Sequence, residues 1–367
     1  MAAGLTETRR LFLTALSTPN SIGISKLLLL WPLFFLICAG LGYPSLRRFD
    51  PRVTEGLSDT IKYYAITTGE DQSGFRELMR CRVLVPYVAR PFCWLAQSHL
   101  HTWNPVFFGL LISASIFCAT TACFIASLGV KVFGDLGLGL LGATLYLLNF
   151  AISNLQLAGM VDAGEACFMV AVVWSLIDKK WWMLPVWGLF GAAAKETFVP
   201  FSSLFALTWW FIEYRRNYAR WSALVWVITL AFVGLGVVLG IRAAVVGQFR
   251  WPWQIAEQVR SQVSFFVALR RCLTQNSFWY VFGWLLPLGL IRLKIFPKSW
   301  VIAAAITSIL AFAFGLYIDS GGNFGRPVFN ISGPLLSLSV AMLISGKRPS
   351  LQPTSSSSYA PDVYSSR

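Results

Sequence analysis

Long apolar runs, separated by short polar segments, dominate the pattern of this chain. A helix needs about 20 apolar residues to cross the hydrocarbon core of a bilayer, so runs of that length predict membrane-spanning helices. The first run is too long for the apolar part of a signal peptide and lacks a small-residue cleavage site, so it predicts a retained span. The predicted spans lie at 26–43, 105–130, 136–154, 158–177, 222–246, 275–291, 299–318 and 327–345.

A longer apolar stretch, 181–212, is interrupted in its middle by Lys195 and Glu196. One very long helix and a hairpin of two short helices both fit this pattern. Basic residues flank the stretch at 179–180 and within 215–220, and the positive-inside rule places both flanks in the cytoplasm. We therefore predict a hairpin with its tip outside, about ten spans in total and both termini in the cytoplasm. The predicted fold class is an all-α, polytopic membrane protein.

The same pattern divides the chain into three parts. Residues 1–23 are predicted as a cytoplasmic segment and residues 24–346 as a transmembrane domain. The serine-rich segment 347–367 has little to bury and is predicted as a disordered cytoplasmic tail. Two large outer loops, 47–104 and 248–276, are predicted within the transmembrane domain.

Each outer loop contains an apolar segment that is predicted as a helix lying in the membrane interface. In the first loop this segment is 83–96, which is short and contains Pro86 and Pro91. In the second loop, apolar residues recur at helical spacing, and two tryptophans are suited to the level of the lipid headgroups. The recurring residues are Ile255, Val259, Val263 and Phe266. The two helices would frame a basic, aromatic-lined cleft at the outer boundary of the membrane.

Composition agrees with a membrane location and excludes an ordinary soluble chain. Hydrophobic residues make up 56% of the sequence and charged residues only 13%, with a mean hydropathy of +0.63; soluble domains carry about 25% charged residues. The net charge is nevertheless +14. In a membrane protein such an excess favours anionic lipids and phosphorylated lipid substrates as partners. We therefore expect no nucleic acid partner.

Much of this positive charge lies in the predicted outer segments, where the positive-inside rule does not require it. Nearly all of these residues are arginine, whose planar fork binds two phosphate oxygens at once. An outer face that meets anionic lipid, or an inverted orientation, would also explain them, but they favour an external site for a phosphorylated ligand. The residues are Arg47, Arg48, Arg52, Lys62, Arg76, Arg80, Arg82, Arg90, Arg250, Arg260, Arg270, Arg271 and Arg326.

Asp59 is the candidate catalytic residue of the first outer loop. It lies in a polar segment before an aromatic pair, Tyr63 and Tyr64. A carboxylate that faces an open cleft can act as a general base and accept the proton of a hydroxyl nucleophile. The competing interpretation is a helix cap provided by Ser58 or Asp59.

Two further acidic residues, Asp162 and Glu165, lie at i and i+3 near the predicted outer end of a span, so they share a helix face. Charged residues in a span are costly and indicate a functional site. A buried ion pair with Lys195 or with an outer arginine is the alternative. Two interpretations also fit Lys195 and Glu196. They form either a simple wet turn, or a hydrogen-bond donor and acceptor that face the cleft.

The last outer loop contains a glycine-rich stretch with Asn323, followed by Arg326 directly before Pro327. Proline is favourable at the first helical position, so Arg326 is predicted at a helix N-terminus, where anions are also favoured. Asn323 and Arg326 are therefore included among the candidate substrate-binding residues. His99 and His101 form an HxH pair without a third ligand at suitable spacing, so no metal site is predicted. The sequence does not identify a cofactor, and whether a divalent cation is required stays open.

In order along the chain, these features resemble the GT-C superfamily of polytopic glycosyltransferases. The resemblance covers about residues 25–345, mainly as architecture, and the chain looks like the bacterial mannosyltransferase-like and lipid A aminoarabinose transferase-like members. It depends on the loop residues Asp59, Tyr63 and Tyr64, the R-x-L-x-P run Arg82–Pro86, Asp162 at the end of a middle span, the run ending in Lys195–Thr197, and Arg326 opening the last span.

This resemblance implies transfer of a sugar from a polyprenyl-phosphate donor to a glycan, lipid or protein acceptor, on the outer face of the plasma (inner) membrane. Asp59 would deprotonate or orient the acceptor, Asp162 would assist, and Arg82, Lys195 and Arg326 would hold the lipid phosphate. Many members carry adjacent acidic residues in this loop, whereas here the acidic residue closest to Asp59 is Glu55. That departure leaves the identity of the base open.

Two other functions fit the charge pattern. A transporter or flippase for a lipid-linked anion would also need charges within the membrane, but transporters place their substrate site near the midplane. Here the charges are predicted to lie toward one face. A non-catalytic subunit that retains the GT-C-like fold is the other alternative.

Overall fold

The computed structural model describes residues 24–47, 58–70, 77–99, 103–247, 263–318 and 325–346. Throughout these residues the chain is helical and contains no β-strand, which confirms the predicted all-α class. The predicted cytoplasmic ends, 1–23 and 347–367, lie outside the described residues, as does most of the predicted interfacial helix of the second outer loop.

The amino-terminal part contains one long helix followed by three shorter ones. These are α1 (Ile24–Arg47), α2 (Ser58–Thr68), α3 (Glu77–Arg80) and α4 (Leu84–Gln97). α4 occupies the segment that is predicted as an interfacial helix. Its buried face includes Val85 and Ala89, while Tyr87 and Trp94 on its other face are exposed. Such a division suits a helix at an interface, although its position in the membrane stays a prediction.

The longest helix, α5 (Pro105–Phe133), is the centre of the packing and contacts α1 and α4. Its start follows from local sequence, because Oδ1 of Asn104 accepts hydrogen bonds from the N–H groups of Val106 and Phe107 at 2.9 and 3.4 Å. Proline occupies its first position, where the missing N–H is harmless. Gly134, with φ of 69°, ends it in the left-handed conformation.

The next helix, α6 (Leu136–Leu147), ends before the predicted end of its span at residue 154. Asn149 interrupts it: Oδ1 accepts from the N–H of Ala151 at 2.9 Å, and Nδ2 donates to the carbonyl oxygen of Val281 at 3.0 Å. The helical turns that follow, Ala151–Ala158, are bent from α6 by 46°. The predicted span 136–154 is therefore bent in the structure, because this asparagine replaces helical hydrogen bonds with bonds of its own.

Four helices form the middle of the chain: α7 (Asp162–Ile177), α8 (Leu184–Ala194), α9 (Phe198–Arg215) and α10 (Trp221–Val246). The apolar stretch 181–212 is thus two helices, as predicted, and the extended backbone of Lys195 (φ −162°, ψ 134°) ends the first of them. α8 packs closely on α10 at Gly188, where an added Cβ would lie 2.9 Å from the carbonyl oxygen of Leu230. The side of the membrane on which the hairpin tip lies stays a prediction.

The carboxyl-terminal part contains α11 (Phe265–Thr274), α12 (Asn276–Phe282), α13 (Leu285–Ile291), α14 (Lys298–Ile318) and α15 (Gly325–Ser345). The predicted span 275–291 is two short helices, α12 and α13, and not one. The break falls at Gly283, a residue that weakens a helix interior because it lacks a side chain and loses much backbone freedom. Arg326 lies in the first turn of α15, which confirms its predicted place at a helix N-terminus.

Among the described helices, five are long and apolar enough to cross a membrane: α1, α5, α10, α14 and α15. The number rises to six if α6 and the turns at Ala151–Ala158 are one bent span. The protein is therefore membrane-embedded and polytopic. The predicted total of ten spans stays a prediction.

Candidate functional site

Eight charged side chains from five parts of the chain meet at one end of the helix bundle. α7, α9 and α15 begin there and α8 ends there, so residues far apart in sequence become neighbours. We call these side chains the charged cluster: Asp59 and Lys62 on α2, Arg82 before α4, Asp162 and Glu165 on α7, Lys195 and Glu196 between α8 and α9, and Arg326 on α15.

The centre of the charged cluster is the buried ammonium group of Lys195. Its Nζ lies 2.8 Å from Oδ1 of Asp162 and 2.9 Å from Oε2 of Glu165. The i, i+3 spacing of the two carboxylates on α7 lets both reach the same lysine. The ion-pair interpretation of these residues is therefore the one that the structure shows, and the wet-turn interpretation of Lys195 is wrong because that side chain is buried.

Polar side chains satisfy the remaining oxygens of Glu165. Thr197 donates to Oε1 at 2.5 Å, and Nδ2 of Asn330 donates to Oε2 at 2.9 Å. Oδ1 of Asn330 in turn accepts a hydrogen bond from Nε2 of Gln156 at 2.9 Å. Glu165 is thus fixed on several sides, which is the condition under which a buried charge is tolerated.

Arg82 forms a two-point ion pair with Glu196. Its Nη2 and Nε lie 2.6 and 3.0 Å from the two carboxylate oxygens, and Nη1 donates to the hydroxyl oxygen of Tyr63 at 3.1 Å. Burial raises the pKa of the Glu196 carboxyl, but the adjacent Arg82 guanidinium, together with Lys195 and a backbone hydrogen bond, holds that pKa below its ordinary value. The guanidinium of Arg82, which the sequence predicts to hold a phosphate, is therefore bound to the carboxylate of Glu196.

Arg326 links the centre of the charged cluster to Asp59. Its Nη1 lies 3.3 Å from Oδ2 of Asp162, and its Nη2 lies 3.7 Å from Oδ2 of Asp59. Lys62, one turn along α2, lies 3.0 Å from the other oxygen of Asp59. The side chain of Asp59 is 17% exposed, against 3% for Asp162 and 4% for Glu165. Asp59 is therefore the most accessible of these carboxylates.

The charges of the cluster balance, since four carboxylates face four cations. The sequence predicts that Arg82, Lys195 and Arg326 hold a lipid phosphate, yet each of these cations contacts at least one carboxylate within 4 Å. The charged cluster therefore has no surplus of positive charge within the described residues. Its evident physical effect is to join α2, α7, α9 and α15 and to fix the position of Asp59.

The chain matches no protein-family model and no curated protein. The functional assignment therefore depends on the geometry of the site, and the likeness to the GT-C superfamily stays a prediction.

Not all predicted site residues join the charged cluster. Tyr64 packs against Phe107, and its hydroxyl accepts a hydrogen bond from Nδ2 of Asn104 at 3.3 Å, so it supports the start of α5. Arg80 points instead to the end of α10, where Nη2 donates to the carbonyl oxygen of Val245 at 3.3 Å. Asn323 lies outside the described residues.

Sequence reasoning missed several residues that the structure shows to matter. Arg242 is the one charged residue of α10 and is buried; a charge inside an apolar span is a signal that was present in the sequence. Asn330 belongs to a formal glycosylation sequon, but its side chain is buried against Glu165. The sequence names Lys62 only as one of the outer cations and Thr197 only as the end of a short run. Gln156 has no distinctive signal, because only the fold brings it to the site.

No group of three or more His, Cys, Asp or Glu side chains in the described residues is arranged to hold a metal ion. The His99 ring contacts Ser98 and the carbonyl oxygen of Leu95, both on or beside α4. His101 lies outside the described residues.

Proposed function

We propose that this protein is a membrane glycosyltransferase of the GT-C type, with about ten spans, in the plasma (inner) membrane. It transfers a sugar from a polyprenyl-phosphate donor to a glycan, lipid or protein acceptor on the outer face. The observation that carries the proposal is the partly exposed carboxylate of Asp59 at the edge of a buried charged cluster, where several helix ends meet. A position at the helix ends, away from their middle, suits a reaction at the membrane surface better than transport.

Asp59 is better placed than its neighbours to act as the base. Glu165 accepts hydrogen bonds from three side chains, and Glu196 is engaged by both arms of an arginine. Asp162 is buried between a lysine and an arginine. Asp59 faces Lys62 at 3.0 Å and Arg326 at 3.7 Å, but its side chain is 17% exposed and retains an open edge. A general base must reach the proton that it removes, so exposure favours Asp59.

In the proposed reaction the acceptor hydroxyl or amine gives its proton to Asp59 and bonds to the anomeric carbon of the sugar. The bond from that carbon to the phosphate oxygen breaks, and the phosphate leaves with the electron pair. Charge that develops on this oxygen is stabilised by cations held in place beforehand. Lys62 and Arg326 are the cluster cations that contact the base, while Arg82 and Lys195 position the carboxylates around it.

The test is transfer by the purified, full-length protein, measured as release of polyprenyl phosphate from a panel of polyprenyl-phosphate sugars. Since a general base contributes about 10²–10⁴-fold, we expect Asp59→Asn to reduce release at least 100-fold while the protein stays folded and inserted. Asp178→Asn is the matched control, because Asp178 also pairs with lysines, Lys131 and Lys180, but lies at the opposite end of α7.

If the wild type releases polyprenyl phosphate and Asp59→Asn releases it at the same rate, Asp59 does not act as the base. No release by the wild type from any donor, together with protein-dependent movement of the donor across a vesicle membrane, would favour a flippase. Inactivity in both assays would favour a non-catalytic subunit.

A further inference from the structure

A buried arginine near the end of α10 has unused hydrogen-bond donors within the described residues. Arg242 is 4% exposed and is the one charge on a helix of 26 residues. Its Nε and Nη1 are buried, and neither has a hydrogen-bond partner in the part of the chain that the structure describes. Most buried polar groups are satisfied, and a guanidinium cannot escape the cost of burial by losing its proton. An arrangement of this kind is expected where a ligand supplies the missing acceptors.

A second guanidinium, that of Arg80 on α3, reaches the same end of α10. Its Nη2 donates to the carbonyl oxygen of Val245, which is three residues beyond Arg242 in that helix. Among the residues that the structure describes, the Nε of Arg80 is also buried without a hydrogen-bond partner. The side chain of Arg80 is only partly buried, so the pair has an open side.

The carboxylates of this neighbourhood do not neutralise the pair. Cys81 lies within electrostatic reach of Arg242, Arg80, Glu196 and Glu77. Glu196 is already held by Arg82 through two short contacts. Within the described residues neither Arg80 nor Arg242 has a carboxylate within salt-bridge distance.

We propose that Arg242 and Arg80 bind a phosphate group at this end of the bundle. Two guanidinium groups with unused N–H donors match the several oxygens of a phosphate monoester, and charge-assisted bonds of this type are among the strongest in proteins. One point rests on the proposed function, namely that the ligand is the phosphate group of the sugar donor. Arg80 and the cluster residue Arg82 are two positions apart, so the phosphate site adjoins the charged cluster.

The experiment measures binding, without any assay of transfer. Purified full-length protein in lipid nanodiscs is titrated with polyprenyl phosphate, with the uncharged polyprenol of the same length, and with inorganic phosphate, and the complexes are quantified by native mass spectrometry. We expect polyprenyl phosphate to bind at least tenfold more tightly than polyprenol. Arg242→Met should weaken that binding at least tenfold, and Arg242→Lys should weaken it less.

The control is Arg270→Met, which removes an exposed arginine of α11 and leaves phosphate binding unchanged. Tighter binding of the lipid phosphate than of inorganic phosphate identifies a lipid headgroup as the ligand. Equal affinity for polyprenyl phosphate and inorganic phosphate, with loss of both in Arg242→Met, identifies free phosphate as the ligand. If Arg242→Met and Arg80→Met both bind polyprenyl phosphate and inorganic phosphate as tightly as the wild type does, the proposal is overturned.

Stability separates a ligand residue from a structural one. An unpaired buried charge opposes folding, so Arg242→Met without phosphate should unfold at the same temperature as the wild type or higher. A lower unfolding temperature would show that Arg242 has a structural partner and would contradict the proposal. Asp59→Asn distinguishes the two hypotheses, since it should abolish transfer and keep phosphate binding. Phosphate binding without transfer by the wild type would refute the transferase alone.

Discussion

The charged cluster and the pair formed by Arg80 and Arg242 are neighbours, yet they differ in how buried charge is compensated. In the charged cluster each cation faces a carboxylate at 2.6 to 3.3 Å. In the arginine pair, three buried nitrogen atoms have no hydrogen-bond partner among the described residues. Arginine at this end of the bundle therefore has two uses, and only the second leaves donors for a ligand.

This difference predicts opposite responses to loss of charge. Removing one partner of a buried ion pair leaves an uncompensated charge and costs about 3–5 kcal/mol, whereas removing an unpaired buried charge relieves a cost. Stability measurements on the two regions can therefore test the distinction directly.

The largest effect is expected at Lys195. Lys195→Met leaves the carboxylates of Asp162 and Glu165 buried without their shared cation, so the free energy of unfolding should fall by about 3–5 kcal/mol. Unfolding in mixed detergent micelles, titrated with SDS, measures this change. Lys180→Met is the control, because that lysine pairs at 3.2 Å on the surface and should change stability by about 1 kcal/mol or less. Equal effects at the two lysines would contradict the central position of Lys195.

A smaller effect, with a defined pH dependence, is expected at Glu196. Burial raises the pKa of its carboxyl, but Arg82, Lys195 and a backbone hydrogen bond together lower it by more, so the folded-state pKa lies below the unfolded one. The stabilisation is therefore fully present above the unfolded pKa of about 4.3 and is lost as the pH falls through the folded-state pKa.

Glu196→Gln should lower the free energy of unfolding by about 1.5–3 kcal/mol at neutral pH, since it removes charge-assisted bonds to Arg82. The variant and the wild type should converge in stability as the pH is lowered below 4. A difference between them that stays constant from pH 7 to pH 3 would refute the ion pair as its cause.

Most of the fold was within reach of sequence reasoning, because apolar runs of about 20 residues have few structural solutions. The hairpin at 181–212 followed from charges on both flanks. The break in α6 did not, because Asn149 ends that helix through a bond to Val281, 132 residues away. A single side chain with a distant partner leaves no periodic signal.

The sequence names most members of the charged cluster, and it offers an ion pair with Lys195 or an outer arginine as one of two interpretations of Asp162 and Glu165. The sequence marks Asp162, Glu165 and Lys195 as costly charges, and the structure brings them together. Whether an arginine faces a carboxylate or stands open to a ligand depends on how α3 meets α10 and on the tip between α8 and α9. Arg82 and Arg80, two positions apart, have opposite surroundings for that reason.

The smallest predicted effect separates two adjacent tyrosines. Tyr64→Phe removes an acceptor from Asn104, whose Oδ1 still caps α5, so the free energy of unfolding should fall by only about 0.5 kcal/mol. Tyr63→Phe takes an acceptor from the buried guanidinium of Arg82, and the loss should be about 1–3 kcal/mol. SDS titration of the two single variants compares them on one scale. A larger loss for Tyr64 than for Tyr63 would mean that the charged cluster does not depend on its tyrosine, and that the start of α5 depends on more than the asparagine cap.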